Sequence, residues 1–345
     1  MTATQELLRG ESQTFSTHAD FLAGAYERGW TDGLPVVAPD PETVMQFLDA
    51  AGLRPDEVLG SVPTREVTVT AEAAATNAVM AGCLPEYFPV VVAAVRAHLS
   101  LLGNSHCTTA SLAGPSHALI VNGPVRHELG IASGQGCLGP GFRANATIGR
   151  ALRLVIRNVC KSVPGVLDRA IFSTPARYSF CFGEDEEMGA PWTPMHQQLG
   201  FTSEDSTVTM FSAWGTLESN SVARSAEGIL DDLVADLRWK GFWKGLGDTA
   251  DDVFLGDELA FIVVVGPEHR QVFHEHGWSK EMIQEYTFDR ITAPTTGPRD
   301  RACAISAPER MLVTTAGGTG IPETQVLLPH LGAPVTTLIP KGVAR

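Results

Sequence analysis

The segments ALIVNGP (residues 118–124) and FIVVVGP (residues 261–267) decide the predicted fold, because each is an apolar strand that leads into a Gly-Pro turn. A helical pattern precedes each of them, over residues 87–102 and 225–238. The repetition predicts an α/β protein in which two similar α/β halves with mixed sheets pack around a central cleft. The alternative is that a Gly-Pro turn after a strand is common and marks no repeat.

This pattern divides the 345 residues into three segments. Residues 1–65 are predicted to form an N-terminal helical arm and an extended segment. Residues 66–205 are predicted to form the first α/β half, which contains a glycine-rich loop, and residues 206–345 the second half.

The charge of the chain excludes one class of partner. Acidic residues outnumber basic residues by 39 to 25, which gives a net charge of −14. Such a surface repels a phosphate backbone, so we expect no nucleic-acid partner. We interpret the basic cluster at residues 238–244 as a solvated helix end.

The same composition predicts a cytoplasmic protein. No apolar run approaches the roughly 18 residues that span a membrane, and the N-terminus lacks a signal-peptide pattern, so we expect no membrane partner. The six cysteines show no CxxC spacing. A reducing compartment follows, and the spacing indicates no zinc or iron–sulfur site.

The glycines of GQGCLGPGFRANATIGRALRL (residues 134–154) match the spacing of the dinucleotide-binding fingerprint, but their context does not. The fingerprint needs a strand directly before the first glycine and a helix that starts at the third. Here the preceding strand ends near Val121, and Pro140 and Gly141 delay the helix to about Ala144. No nicotinamide or flavin cofactor is therefore expected.

We predict instead that this loop binds an anion. Free amides, the positive end of a helix dipole and a guanidinium together favour a carboxylate or a phosphate. The alternative is that Asn145 caps the helix and Arg143 is solvated. The predicted substrate-binding residues, which include a strand end and a second glycine turn, are Gly134, Gly136, Gly139, Arg143, Asn145, Asn122 and Gly318.

Cys137 is the candidate nucleophile. A thiol near a helix N-terminus and an arginine is expected to have a lowered pKa, which favours the reactive thiolate. Acyl transfer would also need a general base, for which His106, His127 and His196 are candidates.

A second candidate site lies in FCFGEDEEMGAPWTPMHQQLGF (residues 180–201), where acids and a histidine stand among aromatic residues and prolines. Glu186 and His196 are the predicted catalytic acid–base pair. Alternatively, Glu184, Glu186, Glu187 and His196 would bind a divalent metal. The third possibility is a solvated acidic turn.

Several motifs together resemble a known bacterial family. They are Trp30-Thr-Asp-Gly-Leu-Pro35, Asn77 to Cys83 followed by Pro85 to Pro89, Gly139-Pro-Gly with Arg143 to Arg150, and Gly277-Trp-Ser-Lys280. The family is associated with the UGSC (seleno)proteins, which are named for a Sec/Cys-Gly-Ser-Cys motif. That motif is absent from this chain. The resemblance implies an enzyme of small-molecule metabolism and transfers no catalytic residues.

The predicted function is a cytoplasmic enzyme that binds a small anionic substrate and performs hydrolase- or lyase-type chemistry. One alternative is a metal-dependent enzyme that uses residues 184–196. Another is a non-catalytic subunit of a redox complex. The cofactor is unknown, and the sequence is compatible with a homo-oligomer.

Overall fold

The structure is a computed structural model, and it describes residues 8–240, 258–297 and 300–340. Twelve helices occur in these ranges: α1 His18–Glu27, α2 Pro41–Ala51, α3 Ala71–Ala81, α4 Phe88–Leu99, α5 Ser105–Ala110, α6 Val125–Glu128, α7 Arg143–Leu154, α8 Glu186–Gly189, α9 Met195–Gln198, α10 Ala226–Lys240, α11 Pro267–Glu275 and α12 Lys280–Ile291. A π-helix, Val155–Val159, continues α7. No helix in the described ranges is long and apolar enough to cross a membrane.

Nine strands occur in the same ranges: β1 Val58–Val62, β2 Val67–Thr70, β3 Ser116–Asn122, β4 Cys181–Gly183, β5 Thr207–Ser219, β6 Phe261–Val265, β7 Met311–Thr315, β8 Thr324–Pro329 and β9 Val335–Leu338. β1 and β2 form a small antiparallel sheet. The other seven strands form one mixed sheet. These elements confirm the predicted α/β class.

Local side-chain caps explain where several helices begin. The side chain of Asp40 accepts a hydrogen bond from the Thr43 amide at the start of α2, and that of Thr70 accepts one from the Ala73 amide at the start of α3. Ser279 caps α12 in the same way. Each cap satisfies an amide that the first turn of a helix leaves without a partner.

The large sheet has the strand order β4-β3-β5-β8-β6-β7, and β9 pairs with β5. β3 is parallel to β4 and antiparallel to β5, while β6 is parallel to β7 and antiparallel to β8. The set β4-β3-β5 and the set β7-β6-β8 therefore share one pattern, in which the middle strand has a parallel neighbour on one side and an antiparallel neighbour on the other. Pairing of β5 with β8 joins both sets into one sheet, so the prediction of two halves with their own sheets is not confirmed.

The sheet curls until its two edges meet. In a flat sheet, the six strands of this order would place β4 and β7 about 24 Å apart, at a strand spacing of about 4.8 Å. The Asp185 amide, just after β4, instead donates to Thr315 O of β7 at 2.7 Å, and Thr315 Oγ1 donates back to Asp185 O at 2.7 Å. The curl brings the loops after β4 and β7 together.

Packed side chains occupy the inner face of the curled sheet, where a cleft was predicted. Ile120, Phe182, Phe211 and Val264, from four different strands, belong to one buried cluster there. Helices α1 to α4 and α7 cover the outer face near β3, and α10 to α12 cover it near β6. The candidate site must therefore lie at the strand ends.

Candidate functional site

Asn122 and Glu184 stand at the carboxyl ends of the parallel strands β3 and β4. Ligand sites of α/β proteins occur at this edge, because the loops that follow parallel strands meet there. Both side chains are buried, with exposures of 0% and 1%. Asn122 Nδ2 donates to Glu184 Oε2 and, at 3.1 Å, to Glu186 Oε1. The fold therefore brings predicted residues of both candidate sites together.

Lys280 joins this group from the distant helix α12. Its Nζ donates to Glu184 Oε1 at 3.2 Å and to Thr193 O at 2.8 Å, and only 2% of the lysine is exposed. The amide of Met195 donates to Glu184 Oε2 at 2.8 Å. Sequence reasoning missed Lys280, whose only signal was its position in the segment Gly277-Trp-Ser-Lys280. We call Asn122, Glu184, Glu186, His196 and Lys280 the strand-end cluster.

Glu186 is the acid of this cluster that reaches the surface, with 14% of its side chain exposed. Its Oε1 accepts from the Gly123 amide at 2.7 Å, and its Oε2 lies 3.2 Å from Arg126 NH2. Gly123 has a φ of +83°, and a Cβ there would lie 2.1 Å from Asp205 O. Only glycine fits this turn, which aims an amide at the carboxylate.

His196 is fully buried behind Glu186. Its Nδ1 lies 3.8 Å from Glu186 Oε1, which is too long for a hydrogen bond. Among the described residues neither ring nitrogen has a hydrogen-bond partner, and the same holds for Asn122 Oδ1. Buried polar atoms are normally hydrogen-bonded, so three such atoms at one place are unusual. The fold thus places the predicted acid–base pair side by side.

Glu187 points away from this pair. Its carboxylate accepts from Arg126 NH2 at 3.0 Å and lies 2.9 Å from His127 Nε2. Burial opposes ionisation of Glu187, but the hydrogen bonds from Arg126 and His127 overcome it and hold its pKa at about 2. In the described part of the chain, no group of three or more His, Cys, Asp or Glu side chains is arranged to hold a metal ion.

Asn145 and Arg143 organise the loop that precedes α7, which we call the glycine loop (residues 134–145). Asn145 Oδ1 accepts from the Ala132 amide at 2.9 Å, and its Nδ2 donates to Cys137 O at 3.1 Å. Phe142 occupies the N-cap position without a side-chain cap. The alternative that Asn145 caps the helix is wrong. Arg143 is not simply solvated either, because its guanidinium donates to Gly82 O at 3.1 and 3.2 Å.

Of the predicted glycines, Gly134, Gly136 and Gly139 belong to the glycine loop, and Gly318 belongs to the loop after β7. Gly134 O accepts from the Cys137 amide at 3.0 Å, and Gly136 O from the Gly139 amide at 2.8 Å. Gly136 has a φ of +69°, and a Cβ on it would meet no atom within 4 Å. A Cβ on Gly318 would lie 2.7 Å from Gln135 Cα, so the two loops touch.

Cys137 does not have the lowered pKa that was predicted. The residue is only 3% exposed. Burial raises the pKa of Cys137 to about 11, although the nearby amide of Gly317 acts in the opposite direction. The thiol is therefore protonated at neutral pH, because loss of hydration, together with the charge of Asp185, outweighs the hydrogen bonds from backbone amides.

The glycine loop and the strand-end cluster are neighbours. The Gly183 amide at the end of β4 donates to Ala132 O at 3.0 Å, just before the loop, and the Gly317 amide donates to Ser133 O at 2.8 Å. His106 lies elsewhere, with its Nδ1 2.9 Å from Thr64 Oγ1. Of the bases considered for Cys137, the structure thus separates His106 from the site.

The basic cluster at residues 238–244 is described only as far as Lys240, and its remaining residues lie outside the described ranges. Arg238 is not solvated freely, because its Nε and NH2 donate to Asp300 at 2.5 and 2.8 Å. Arg238 and Asp300 line a groove of about 460 Å³. The groove contains none of the predicted site residues.

Comparisons with protein-family models, with curated proteins and with solved structures find no match to this chain. The resemblance to the UGSC-associated family therefore stays a prediction. The class that the fold defines is an α/β protein with a mixed seven-stranded sheet.

Proposed function

We propose that this protein is a cytoplasmic enzyme of small-molecule metabolism that performs hydrolase- or lyase-type acid–base chemistry at the strand-end cluster. The observation that carries the proposal is a set of buried polar atoms beside Glu186 that have no hydrogen-bond partner within the described ranges, namely both ring nitrogens of His196 and Asn122 Oδ1. Their desolvation is unfavourable unless a further polar group binds them.

Each group of the cluster has a role in this proposal. Glu186 contacts the substrate and moves the proton, because its carboxylate is the one that reaches the surface. His196, 3.8 Å behind it, exchanges that proton after a small closure of the gap. Lys280 and Glu184 are positioning residues, since their buried ion pair and its hydrogen bonds hold Asn122 in place.

The glycine loop supplies the binding site for the anionic part of the substrate. It lies next to the cluster, and its glycines Gly134 and Gly136 leave open space in which a ligand approaches the backbone. Cys137 lines this loop, and we assign it no nucleophilic role because burial keeps its thiol protonated. No observation favours the metal-dependent alternative, since Glu184 and Glu187 are engaged by Lys280 and Arg126.

The acid–base proposal is tested by incubating the purified protein with a metabolite extract and following its components by mass spectrometry. We expect one carboxylate or phosphate ester to be consumed by the wild type and at least about 100-fold more slowly by Glu186→Gln, given typical general acid–base contributions. Glu275→Gln, an exposed acid on α11, is the matched control and should behave as the wild type. Equal consumption by both variants would contradict the assignment of Glu186.

The glycine loop is tested with Gly136→Ala against Gly33→Ala. Both glycines have a positive φ and open space at the Cβ position, so both substitutions carry backbone strain of about 1 kcal/mol. Only Gly136→Ala should weaken binding of the consumed substrate, by about tenfold in KM, because the new methyl group lies where the substrate approaches. An equal effect of both substitutions would assign the change to backbone strain alone.

A further inference from the structure

A second concentration of charge lies at the opposite end of β3, far from the strand-end cluster. Between residues 151 and 177 the chain has five basic residues (Arg153, Arg157, Lys161, Arg169 and Arg177) and one acid, Asp168, whereas the whole chain carries a net charge of −14. A local excess of positive charge on an acidic protein attracts anions.

Arg153, on α7, is the buried member of this group. It is 8% exposed, and its NH1 donates to His117 Nδ1 at 2.9 Å. Among the described residues, no carboxylate lies within ion-pair distance of its guanidinium. Burial, and next the charge of Arg177, lowers the pKa of Arg153 to about 9, although the charges of Asp168 and Asp32 act in the opposite direction. The side chain is therefore still charged at neutral pH.

The histidines around Arg153 do not balance its charge. Because His117 Nδ1 accepts the hydrogen bond from Arg153, the ring of His117 is neutral, and its Nε2 lies 3.3 Å from Thr108 Oγ1. The neighbouring His98 packs edge to face on His117, and burial lowers the pKa of His98 to about 3. Both rings are therefore neutral at neutral pH.

The buried acid of this region, Asp168, pairs with Arg177 and not with Arg153. Asp168 forms an ion pair with Arg177 NH2 and is buried there. Arg177 Nε is buried without a partner among the described residues, and so is Nε of Arg65, whose NH1 donates to Cys160 O at 2.8 Å. The charge of Arg177 acts on Arg153, and the charges of Arg153 and Arg65 both act on the buried His98, so the three guanidinium groups are neighbours. We call Arg153, Arg177 and Arg65 the arginine cluster, in which the one buried carboxylate is that of Asp168.

We propose that the arginine cluster is a binding site for a small oxyanion, such as a phosphate or carboxylate group. A buried guanidinium that no carboxylate contacts directly is unfavourable, and an oxyanion supplies both the charge and the acceptors that planar N–H donors require. The π-helix Val155–Val159 begins two residues after Arg153, and such segments are frequent at functional sites. This site is separate from the glycine loop.

Thermal unfolding in phosphate-free buffer, with added sodium phosphate or sodium acetate at constant ionic strength, tests the proposal. Phosphate should raise the wild-type Tm by about 2 °C or more when it is present at ten times its Kd. Arg153→Met should abolish that rise, and its Tm without anion should equal or exceed that of the wild type, because an unbalanced buried charge is gone. A rise with acetate as well would identify a carboxylate-type site.

Three further variants make the result decisive. Arg169→Met, which removes an exposed arginine whose Nε donates to Val166 O at 3.5 Å, should keep the full rise. Gly136→Ala should also keep it, which separates this site from the glycine loop. If Arg153→Met fails to fold, Arg153→Lys should fold and show a smaller rise. Equal shifts in the wild type and the Arg153 variant, or no shift with either anion, would overturn the proposal.

Discussion

The carboxyl ends of β3 and β4 and the carboxyl ends of β6 and β7 occupy matching places in the strand order, yet their chemistry differs. The first pair has the amide side chain of Asn122 at the end of β3 and four consecutive acids, residues 184–187, directly after β4. The second pair is followed by Gly266 and by Ala316 and Gly317. The two pairs of strand ends have the same topology, so their side chains distinguish the candidate site from the other pair.

A buried histidine lies near each pair of strand ends, and the two histidines differ in their hydrogen bonds. His269, after β6, has its Nδ1 2.8 Å from Thr324 Oγ1 and its Nε2 2.9 Å from Ser221 O. His196, beside β4, has no partner for either nitrogen among the described residues. A histidine with both hydrogen bonds satisfied stabilises the fold, whereas one without them is available for a ligand or a proton.

Of the substitutions at these strand ends, we expect Lys280→Met to have the largest effect. The substitution removes the ion pair between Lys280, on α12, and Glu184, after β4, and leaves Glu184 buried without a cation. We therefore expect the free energy of unfolding to fall by about 3–5 kcal/mol. Urea denaturation measures it. Arg310→Met, which breaks the exposed Arg310–Glu258 pair, should cost less than about 1 kcal/mol. A loss as small for Lys280→Met would show that the buried pair does not hold the cluster.

The thiol of Cys137, which is buried in the glycine loop, should react slowly with alkylating reagents. With a pKa of about 11 its thiolate fraction at pH 8 is roughly 100-fold below that of an unperturbed cysteine. Timed alkylation with peptide mass spectrometry should therefore label the partly exposed Cys107 well before Cys137 in the native protein. Faster labelling of Cys137 would mean that the glycine loop opens and exposes its thiol.

Replacing each of the two histidines by phenylalanine tests whether their hydrogen bonds contribute differently to stability. His269→Phe should lower the free energy of unfolding by about 1–3 kcal/mol, because it leaves Thr324 Oγ1 and Ser221 O without a partner. His196→Phe breaks no side-chain hydrogen bond with the described part of the chain and should be neutral or stabilising, while it abolishes the proposed activity. Equal losses in chemical denaturation would remove the distinction between the two edges.

The smallest effect concerns Glu187. Its folded pKa of about 2 lies below the unfolded value of about 4.3, so its stabilisation is present above pH ~4.3 and is lost as the pH falls toward 2. Because 61% of the side chain is exposed, we expect only about 0.5 kcal/mol. Glu187→Gln should flatten the acid limb of stability measured against pH by that amount. An unchanged limb would mean that the pair with Arg126 is screened completely.

Local patterns predicted many elements of the fold. Apolar runs and helical spacing predicted the strands Ser116–Asn122 and Phe261–Val265 and the helices Phe88–Leu99 and Ala226–Lys240 close to their observed bounds, because these patterns depend on neighbouring residues. The three-residue strand Cys181–Gly183 was not predicted. Such a short strand exists only through its pairing with residues 119–121, about 60 positions away.

The candidate site was predicted in part. Asn122 was predicted as a substrate-binding residue and Glu186 with His196 as an acid–base pair, and the fold brings the residue and the pair together. The raised pKa of Cys137 could not be predicted, since the loop sequence indicates a helix end and an arginine but not the burial that outweighs them. Lys280 could not be predicted either, because a lysine after a helix cap is ordinarily exposed.

The α/β class, the caps and bounds of the main helices, and the apolar strands of the sheet follow from the amino-acid sequence, since each depends on residues close together in the chain. Long-range packing, in contrast, establishes one curled sheet in place of two and brings Glu184 to Lys280 across 96 residues. Contacts of that separation depend on loop closure and on burial of charge, and neither leaves a periodic signal in the sequence.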